Sequence, residues 1–539
     1  MPTVTIDGQQ IGVPEGTTII QAAEMLDIHI PRYCYHPGLS IAGSCRMCLV
    51  QVEKTPKLQI ACYTPVSEGM AVHTNTEQVV KARQAILEFL LLNHPVDCPV
   101  CDQAGECWLQ EYYMEYGLYD SALLEDKVRK RKAVILGPHI VLDTERCILC
   151  SRCLRFCDEI TKTHELGIFE RGDRSEIWLY PGKVLDNKYC GNVADICPVG
   201  SLTDRDFRFI CRVWYLEDVN SICPCCSTGC NIIVDYNLKR PHAAKGRRLM
   251  RLRPRYNPEV NKWWMCDEGR YGFKFVDASD RILDPARKEN DKLKPIPWEE
   301  ALGRVARAIR ALVDEGRQEQ IGIITSRWST NEELYMARRL FVEQLGVKGL
   351  DHRVPGNIVG QDDGFLIRAD KSPNSKGAEL IAVHHPEGMD ATQIVQAASQ
   401  GKIKLLYVLH HDLAEAFGNK LIQKVSQNTE LLVYQGTNFN QTSDQADVVL
   451  PAAAWPEKEG TFTNYAGRVQ KINEAFAPPG RAWPDGKIFV ELASRLGAPF
   501  RYICAEDIFR EMADRVEPFK GMSYSSLGLT GSLVSSQGE

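Results

Sequence analysis

The 539-residue chain carries a formal net charge of −6, with 25% charged and 44% hydrophobic residues. That length allows several domains with cores of their own, and so ordinary a balance excludes a general pull toward nucleic acid or a membrane surface. The cysteines are not ordinary: of twenty, nineteen lie between Cys34 and Cys266 and only Cys504 lies beyond.

The opening "MPTVTIDGQQIGV" reads directly as a strand, not as a signal peptide or twin-arginine leader. A reducing compartment is therefore expected, with thiols that serve metal and not disulfides. "VTIDGQQIGV" predicts a hairpin around Asp7-Gly8, the run from Thr18 to Leu26 an amphipathic helix, and the residues after it a cysteine-bearing loop, so 1–78 reads as a small β-rich domain. "TEQVVKARQAILEFLLLNHP" predicts a helix ended near Asn93 and Pro95. Its apolar stretch "AILEFLLL" is too short and interrupted to cross a bilayer.

From about 120 to 275 the chain is loop-rich and shows little core, so its stability is expected to depend on what it binds. From about 296 onward strands alternate with helices: "IGIITS", helix "NEELYMARRLFVEQLG", "ELIAVHH", helix "DATQIVQAASQ", "KLLYVLHH", helix "NKLIQKVSQ", "ELLVYQG" and "ADVVLPAAA". That rhythm predicts a parallel α/β sheet. The Ser/Gly-rich tail "SYSSLGLTGSLVSSQGE" is expected to be disordered or clasped by a partner.

The cysteines fall into four groups. Cys34, Cys45, Cys48 and Cys62 have the spacing C-x10-C-x2-C-x13-C on a β-rich scaffold, which suits a [2Fe–2S] centre. The competing reading is a zinc site, whose usual signature is two C-x2-C knuckles; here there is one. "HPVDCPVCDQAGEC" gives His94, Cys98, Cys101 and Cys107. Taken alone, a histidine is more often a plain surface or core residue, but three cysteines at cluster spacing beside it favour a [4Fe–4S] ligand. A neutral imidazole in place of a thiolate makes such a centre less anionic and easier to reduce.

"CILCSRCLRFC" runs C-x2-C-x2-C-x3-C from Cys147 to Cys157, with Cys197 in "DICPVGSL" further on. A two-cluster ferredoxin needs a second full run, and only Cys190 and Cys197 are found, so one [4Fe–4S] on Cys147, Cys150, Cys153 and Cys197 is the better reading. Cys157 and Cys190 then become bystanders. In the fourth group Cys223, Cys226, Cys230 and Cys266 follow C-x2-C-x3-C-x35-C, again a [4Fe–4S] pattern, leaving Cys211, Cys225 and Cys504 unassigned. Between Cys230 and Cys266 lies "KRPHAAKGRRLMRLRPR", eight Lys and Arg with no acid. It lacks the aromatic interleaving or reading helix of a nucleic-acid stripe. We expect it to stabilise an anionic cluster electrostatically and in part to be solvated surface.

The order of these motifs resembles the large iron–sulfur subunit of NADH:quinone oxidoreductase, respiratory complex I. The resemblance is carried by "PGLSIAGSCRMCLVQVE", "HPVDCPVCDQAGEC", "GPHIVLDTERCILCSRCLRFCDEI", "CGNVADICPVGSL" and the pair "CPCCSTGC" and "WWMCDEGRYGF", followed by "ITSRWSTNEELYMARRLF". It implies an α+β multidomain fold: a β-grasp ferredoxin-like [2Fe–2S] domain (1–78), a His/Cys3 [4Fe–4S] segment (79–118), a [4Fe–4S] ferredoxin-like domain (119–215), a [4Fe–4S] domain of molybdopterin-oxidoreductase type (216–277) and a shortened α/β molybdopterin-oxidoreductase-like domain without its cofactor (278–539). It also implies electron relay from NADH toward quinone through an FMN-containing, NADH-binding flavoprotein partner, at a cytoplasmic location peripheral to the inner membrane. No catalytic residue on this chain and no nucleic-acid partner is implied.

Two departures bear on that expectation. The part after the last cysteine group is short for the family, and Cys190 stands where Ser is expected before "GN". A counterpart in a soluble NAD-linked hydrogenase, formate dehydrogenase, electron-bifurcating or benzoyl-coenzyme A reductase complex is therefore the alternative. A catalytic molybdenum or tungsten enzyme and a zinc scaffold are the two further readings. Against the former, "GLDHRVPGNIVGQDDG", where a metal ligand would fall, has no Cys or Ser. No G-x-G-x-x-G heads a βαβ unit and no P-loop is present, so the chain is not expected to bind NADH itself.

Overall fold

The computed structural model describes residues 1–242, 244 and 246–535. They fall into two compact units, one built on Met1–Leu216 and the other on Glu217–Pro241 with the chain from Gly246 onward.

The first unit opens with a five-stranded sheet in the order Gln9–Gly12, Thr3–Ile6, Met70–His73, Leu49–Val52, Gln59–Ile60. The first two strands make the expected hairpin, and Asp7 (φ 47°) and Gly8 (φ 85°) take the two left-handed positions of a tight turn whose twist suits paired strands. Thr3–Ile6 runs parallel to Met70–His73, a pairing that requires a crossover, and the helix Ile19–Met25 lies within it. That helix starts at Thr18, whose backbone N–H donates to Gln21 Oε1 at 2.9 Å. It buries Ile19, Ile20 and Ala23 against Val4, Ile6, Val50 and Val72, each larger side chain contributing about 1.5–3 kcal/mol.

The helix Glu77–Leu91 follows, with Thr76 Oγ1 accepting from the Val79 N–H at 3.4 Å. Arg83, 2% exposed, donates to Thr74 O and to the Tyr116 hydroxyl, both at 2.9 Å, and so ties this helix to the next, Trp108–Tyr116. Regular structure then thins, as expected. A sheet of Leu202–Asp204, Ile140–Leu142 and Val134–Ile135, a hairpin of Leu166–Phe169 with Glu176–Leu179, and the short helices Arg152–Arg155 and Asn192–Asp195 are joined by loops.

The second unit corrects the sequence reading in several places. The stretch read as loop contains the strands Glu217–Ile222, Asn231–Tyr236 and Leu249–Pro254, which form an antiparallel sheet. The basic run is largely paired within the protein. Arg251 and Arg253, two apart and so on one face of a strand, both reach Asp235, at 2.6 and 2.7 Å, while Arg248 pairs with Asp277 and Glu457, each at 2.7 Å. The acids come from distant positions, which is why the run looked uncompensated. Lastly, "ELIAVHH" is not a strand; it overlaps the helix Ser375–Leu380 and a turn with Ala382 at φ 55°, from which Ala378, Ile381 and Val383 enter the core. A short apolar run cannot be assigned by periodicity alone.

The body of this unit is a seven-stranded sheet in the order Lys292–Pro295, Ala286–Glu289, Val448–Pro451, Leu431–Gly436, Leu405–Leu409, Ile321–Ile324, Gly349–Asp351. The first two form an antiparallel hairpin at one edge and the other five run parallel. Alternation divides the sheet between two cores: Leu405, Tyr407 and Leu409 face the helices Trp298–Asp314 and Asp485–Leu496, and Leu406 and Val408 face Ala391–Ser399 and Asn419–Asn428. The tail is ordered through Ser535: Tyr524–Leu527 is helical, and Ser532–Leu533 pairs with Arg468–Ile472. Residues 536–539 of that expectation lie outside the described residues. Among the described residues no helix is long and apolar enough to cross a membrane.

Candidate iron–sulfur sites

Cys34, Cys45 and Cys48 sit on the loop between the helix Ile19–Met25 and the strand Leu49–Val52, and Cys62 follows the short strand Gln59–Ile60. The structure brings all four together. The Cys34 N–H donates to Cys45 Sγ at 3.5 Å, and the thiols bond in a chain from Cys45 through Cys34 and Cys62 to Cys48. Those bonds hold the Cys34 thiol far below its ordinary range and push Cys45 and Cys62 far above theirs. Four thiolates at such spacing repel unless a cation lies among them.

His94 leaves the C-terminal end of the helix Glu77–Leu91 and lines one cavity with Cys98 and Cys107. Burial lowers its pKa to about 4, so at neutral pH the ring is uncharged, as a metal ligand must be. Its Nδ1 accepts from the Val96 N–H at 3.1 Å, which leaves the ring proton of the neutral imidazole on Nε2. Cys101 does not line that cavity; its sulfur lies where a β-carbon on Gly200 would be, so only glycine fits there. The loop is anchored by Asp97, whose carboxylate accepts from Arg146 Nε at 2.9 Å and Nη2 at 2.6 Å, and that paired guanidinium lowers the Asp97 pKa to about 2.

Cys147, Cys150, Cys153 and Cys197 all line a single small cavity, walled by Leu142, Ile177, Val199 and Leu202. Leu149 (φ 53°) and Ser151 (φ 59°) are left-handed, on either side of Cys150. Each costs on the order of 1–3 kcal/mol, a strain that closely spaced turns toward one centre require. Burial pushes the thiols up, Cys150 to about 11 and Cys147 to about 12. Cys157 and Cys190, both fully buried, do not line the cavity; the Cys157 thiol bonds to Glu165.

In the second unit Cys223, Cys226 and Cys230 occupy the connection between two antiparallel strands, closed by a bond from the Cys223 N–H to Cys230 O at 2.9 Å. Cys266 precedes the short helix Asp267–Tyr271, and its sulfur accepts from the Gly269 N–H at 3.3 Å. A β-carbon on Gly269 would lie 2.8 Å from Cys223 Sγ and 3.5 Å from Cys266 Sγ, so the two thiols flank that glycine. The Cys225 thiol and burial push Cys223 up, and burial and neighbouring thiols push up Cys226, Cys230 and Cys266. Lys371, 2.7 Å from Glu268, is the nearby cation that acts on Cys226 and Cys266.

Among the described residues no three His, Cys, Asp or Glu side chains gather tightly enough to hold a single metal ion. The four sulfurs of Cys147, Cys150, Cys153 and Cys197 instead line one small cavity with the soft donors that a polynuclear iron–sulfur group takes. The sequence could not reveal Gly200, Gly269 or Asp97 as parts of these sites, since their partners lie at distant positions.

Known families match along the chain in series. A 2Fe-2S iron-sulfur cluster binding domain matches residues 1–77, the NADH-ubiquinone oxidoreductase-G iron-sulfur binding region 83–122, and the ferredoxin-like domain of NADH-quinone oxidoreductase subunit 3 137–203. The molybdopterin oxidoreductase Fe4S4 domain matches 216–278, and the molybdopterin oxidoreductase family 281–359 and 373–495. Similar proteins include the NADH-quinone oxidoreductase G subunit of Rickettsia conorii, 32% identical over 92% of this chain and 88% of that one. The 78 kDa subunit of mitochondrial NADH-ubiquinone oxidoreductase from Candida albicans is 30% identical (94% and 84%), as is the 75 kDa subunit from Reclinomonas americana (94% and 90%). A 2Fe-2S domain, 4Fe-4S domains and a molybdopterin-oxidoreductase-like α/β domain in that order agree with the mixed α/β architecture described above. The chain therefore belongs to the family that comprises the G subunit of NADH-quinone oxidoreductase and the 75 and 78 kDa subunits of NADH-ubiquinone oxidoreductase.

Proposed function

We propose that this chain is the iron–sulfur relay of a complex I-type NADH dehydrogenase, carrying electrons from a separate FMN-containing flavoprotein toward quinone, at a cytoplasmic site peripheral to the membrane. The observation that carries the reading is the cavity on which Cys147, Cys150, Cys153 and Cys197 converge. By the same reading Cys34, Cys45, Cys48 and Cys62 hold a [2Fe–2S] group. His94, Cys98, Cys101 and Cys107 hold one [4Fe–4S] group, and Cys223, Cys226, Cys230 and Cys266 another. When bound, such groups accept and donate one electron at a time. The chain's own part is to supply thiolates and one neutral imidazole, to exclude water with walls such as Leu142 and Ile177, and to offset the negative charge with buried cations.

The α/β domain is proposed to hold no molybdopterin, since residues 349–364 offer no Cys or Ser ligand and the Asp351 carboxylate is engaged by Arg353 and the Ala391 N–H. Paramagnetic resonance of the dithionite-reduced protein, with iron, sulfide, molybdenum and tungsten analysis, tests both statements. Signals of one two-iron and three four-iron centres are expected, with no stoichiometric molybdenum or tungsten. NADH should reduce them only when a flavoprotein is added; reduction by NADH alone would overturn the relay reading.

A further inference from the structure

Arg152 lies between Cys150 and Cys153 in sequence and is 2% exposed. Its guanidinium reaches backbone beside two of the four cysteine groups and an aromatic ring beside a third. Nη2 donates to Tyr35 O at 2.5 Å, one residue after Cys34. Nη1 donates to Ile196 O at 3.0 Å, one residue before Cys197. The Trp108 ring, one residue after Cys107, lies 4.5 Å from the guanidinium carbon, and the Trp108 N–H donates to Pro198 O at 3.0 Å. Nε has no partner among the described residues.

Among the described residues no carboxylate lies within ion-pair distance of this buried cation, and the guanidinium groups of Arg32 and Arg155 oppose its charge. A buried guanidinium without a counter-charge is strongly disfavoured. Carbonyl oxygens satisfy its hydrogen bonds but not its charge, so an anion is called for, and thiolate-ligated iron–sulfur groups are anionic. Arg155 repeats the span from the same helix, Nη2 donating to Cys34 O at 2.5 Å and to Cys150 O at 3.3 Å.

We propose that Arg152 is the positioning residue of the relay: its fork fixes the Cys34 and Cys197 segments relative to one another, and its charge raises the reduction potentials of the groups held at both. The inference rests on the cluster assignment above. The step it serves moves one electron between two sites, with no bond or proton changed, so what the residue controls is geometry and potential.

The test is a redox titration followed by paramagnetic resonance on the full chain carrying its clusters. The wild-type spectrum tests the assignment itself; the variants test Arg152. In Arg152→Gln the charge is lost, and the reduction equilibria of the [2Fe–2S] centre and the Cys147–Cys197 centre should both shift at least tenfold toward the oxidised form, which is 59 mV in a one-electron couple. Arg152→Lys keeps the charge without the fork, so both potentials should return toward wild type while the magnetic interaction between the two reduced centres changes. Unchanged potentials in Arg152→Gln with iron content intact would overturn the proposal. If Arg152→Gln fails to retain iron, Arg152→Lys decides: wild-type potentials with an altered magnetic interaction support the proposal, and an unaltered interaction or lowered potentials overturn it.

Discussion

In the strand Leu405–Leu409 every residue is buried, and its alternating side chains enter two apolar cores, whereas the stretch from Cys147 to Cys157 buries thiols and arginines around a cavity. The strand is stabilised by what the chain itself removes from water, at about 25 cal/mol per Å² of apolar surface. The cysteine stretch carries left-handed Leu149 and Ser151, a strain that favours its coming apart unless a group held by the thiols offsets it. The strand is thus stabilised by the polypeptide itself, whereas the cysteine stretch is proposed to be stabilised by what it binds.

Iron removal should break this contrast open most widely. Hydrogen exchange of iron-free protein is expected to show amides of residues 140–204 unprotected while those of 405–409 and 431–436 stay protected. A structural metal in a small thiolate site is worth on the order of 10 kcal/mol to local folding. Equal loss of protection in both regions would mean that the α/β sheet also depends on the clusters.

The second largest effect belongs to the α/β half. Lys458, 3% exposed, donates to both Glu333 carboxylate oxygens and to Asp485 Oδ2, each at 2.8 Å. Lys458→Met leaves two carboxylates buried without their cation and should cost about 3–5 kcal/mol in denaturant unfolding, with iron content unchanged. Burial alone would raise the Asp485 carboxyl, but His410 and Lys458 outweigh it and hold it below the usual 3.8. A depressed carboxyl stabilises the fold above that value and loses its contribution as pH falls beneath it. Acid unfolding of this half should accordingly be less steep below pH 4 in Asp485→Asn than in the wild type.

Smaller effects sharpen the other side. His94→Cys adds a negative charge at the second site, so its iron should remain while its potential falls; His94→Ala should lose iron. The same potential and occupancy in both would place the ligand elsewhere. Cys190→Ser, at a fully buried thiol away from the cavity, should cost about 1 kcal/mol and no iron. Loss of a four-iron centre in that variant would make Cys190 a ligand.

What could be read from the sequence follows the same division. Alternation gave the strands around Leu405 and Leu431 because their partners are interchangeable apolar surface, and cysteine spacing gave the four groups because ligands must recur at short intervals. Arg152 was missed: its partners are the backbone carbonyls of Tyr35 and Ile196, which no side chain encodes. The basic run was misread because Asp235, Asp277 and Glu457 meet it only in three dimensions. The tail looked disordered by composition, yet Tyr524 and Leu527 pack in the core, and the Tyr524 hydroxyl donates to Glu332 at 3.1 Å.

Gly200 has no room for a β-carbon because the Cys101 sulfur fills that space. The two positions are therefore sterically coupled. Alanine at 200 becomes admissible only once residue 101 has shrunk, and shrinking residue 101 removes a sulfur from the second site, so neither step can be taken first without loss. A library randomised at both positions and selected for retained iron should return glycine opposite cysteine, and alanine only among clones that have given up that centre.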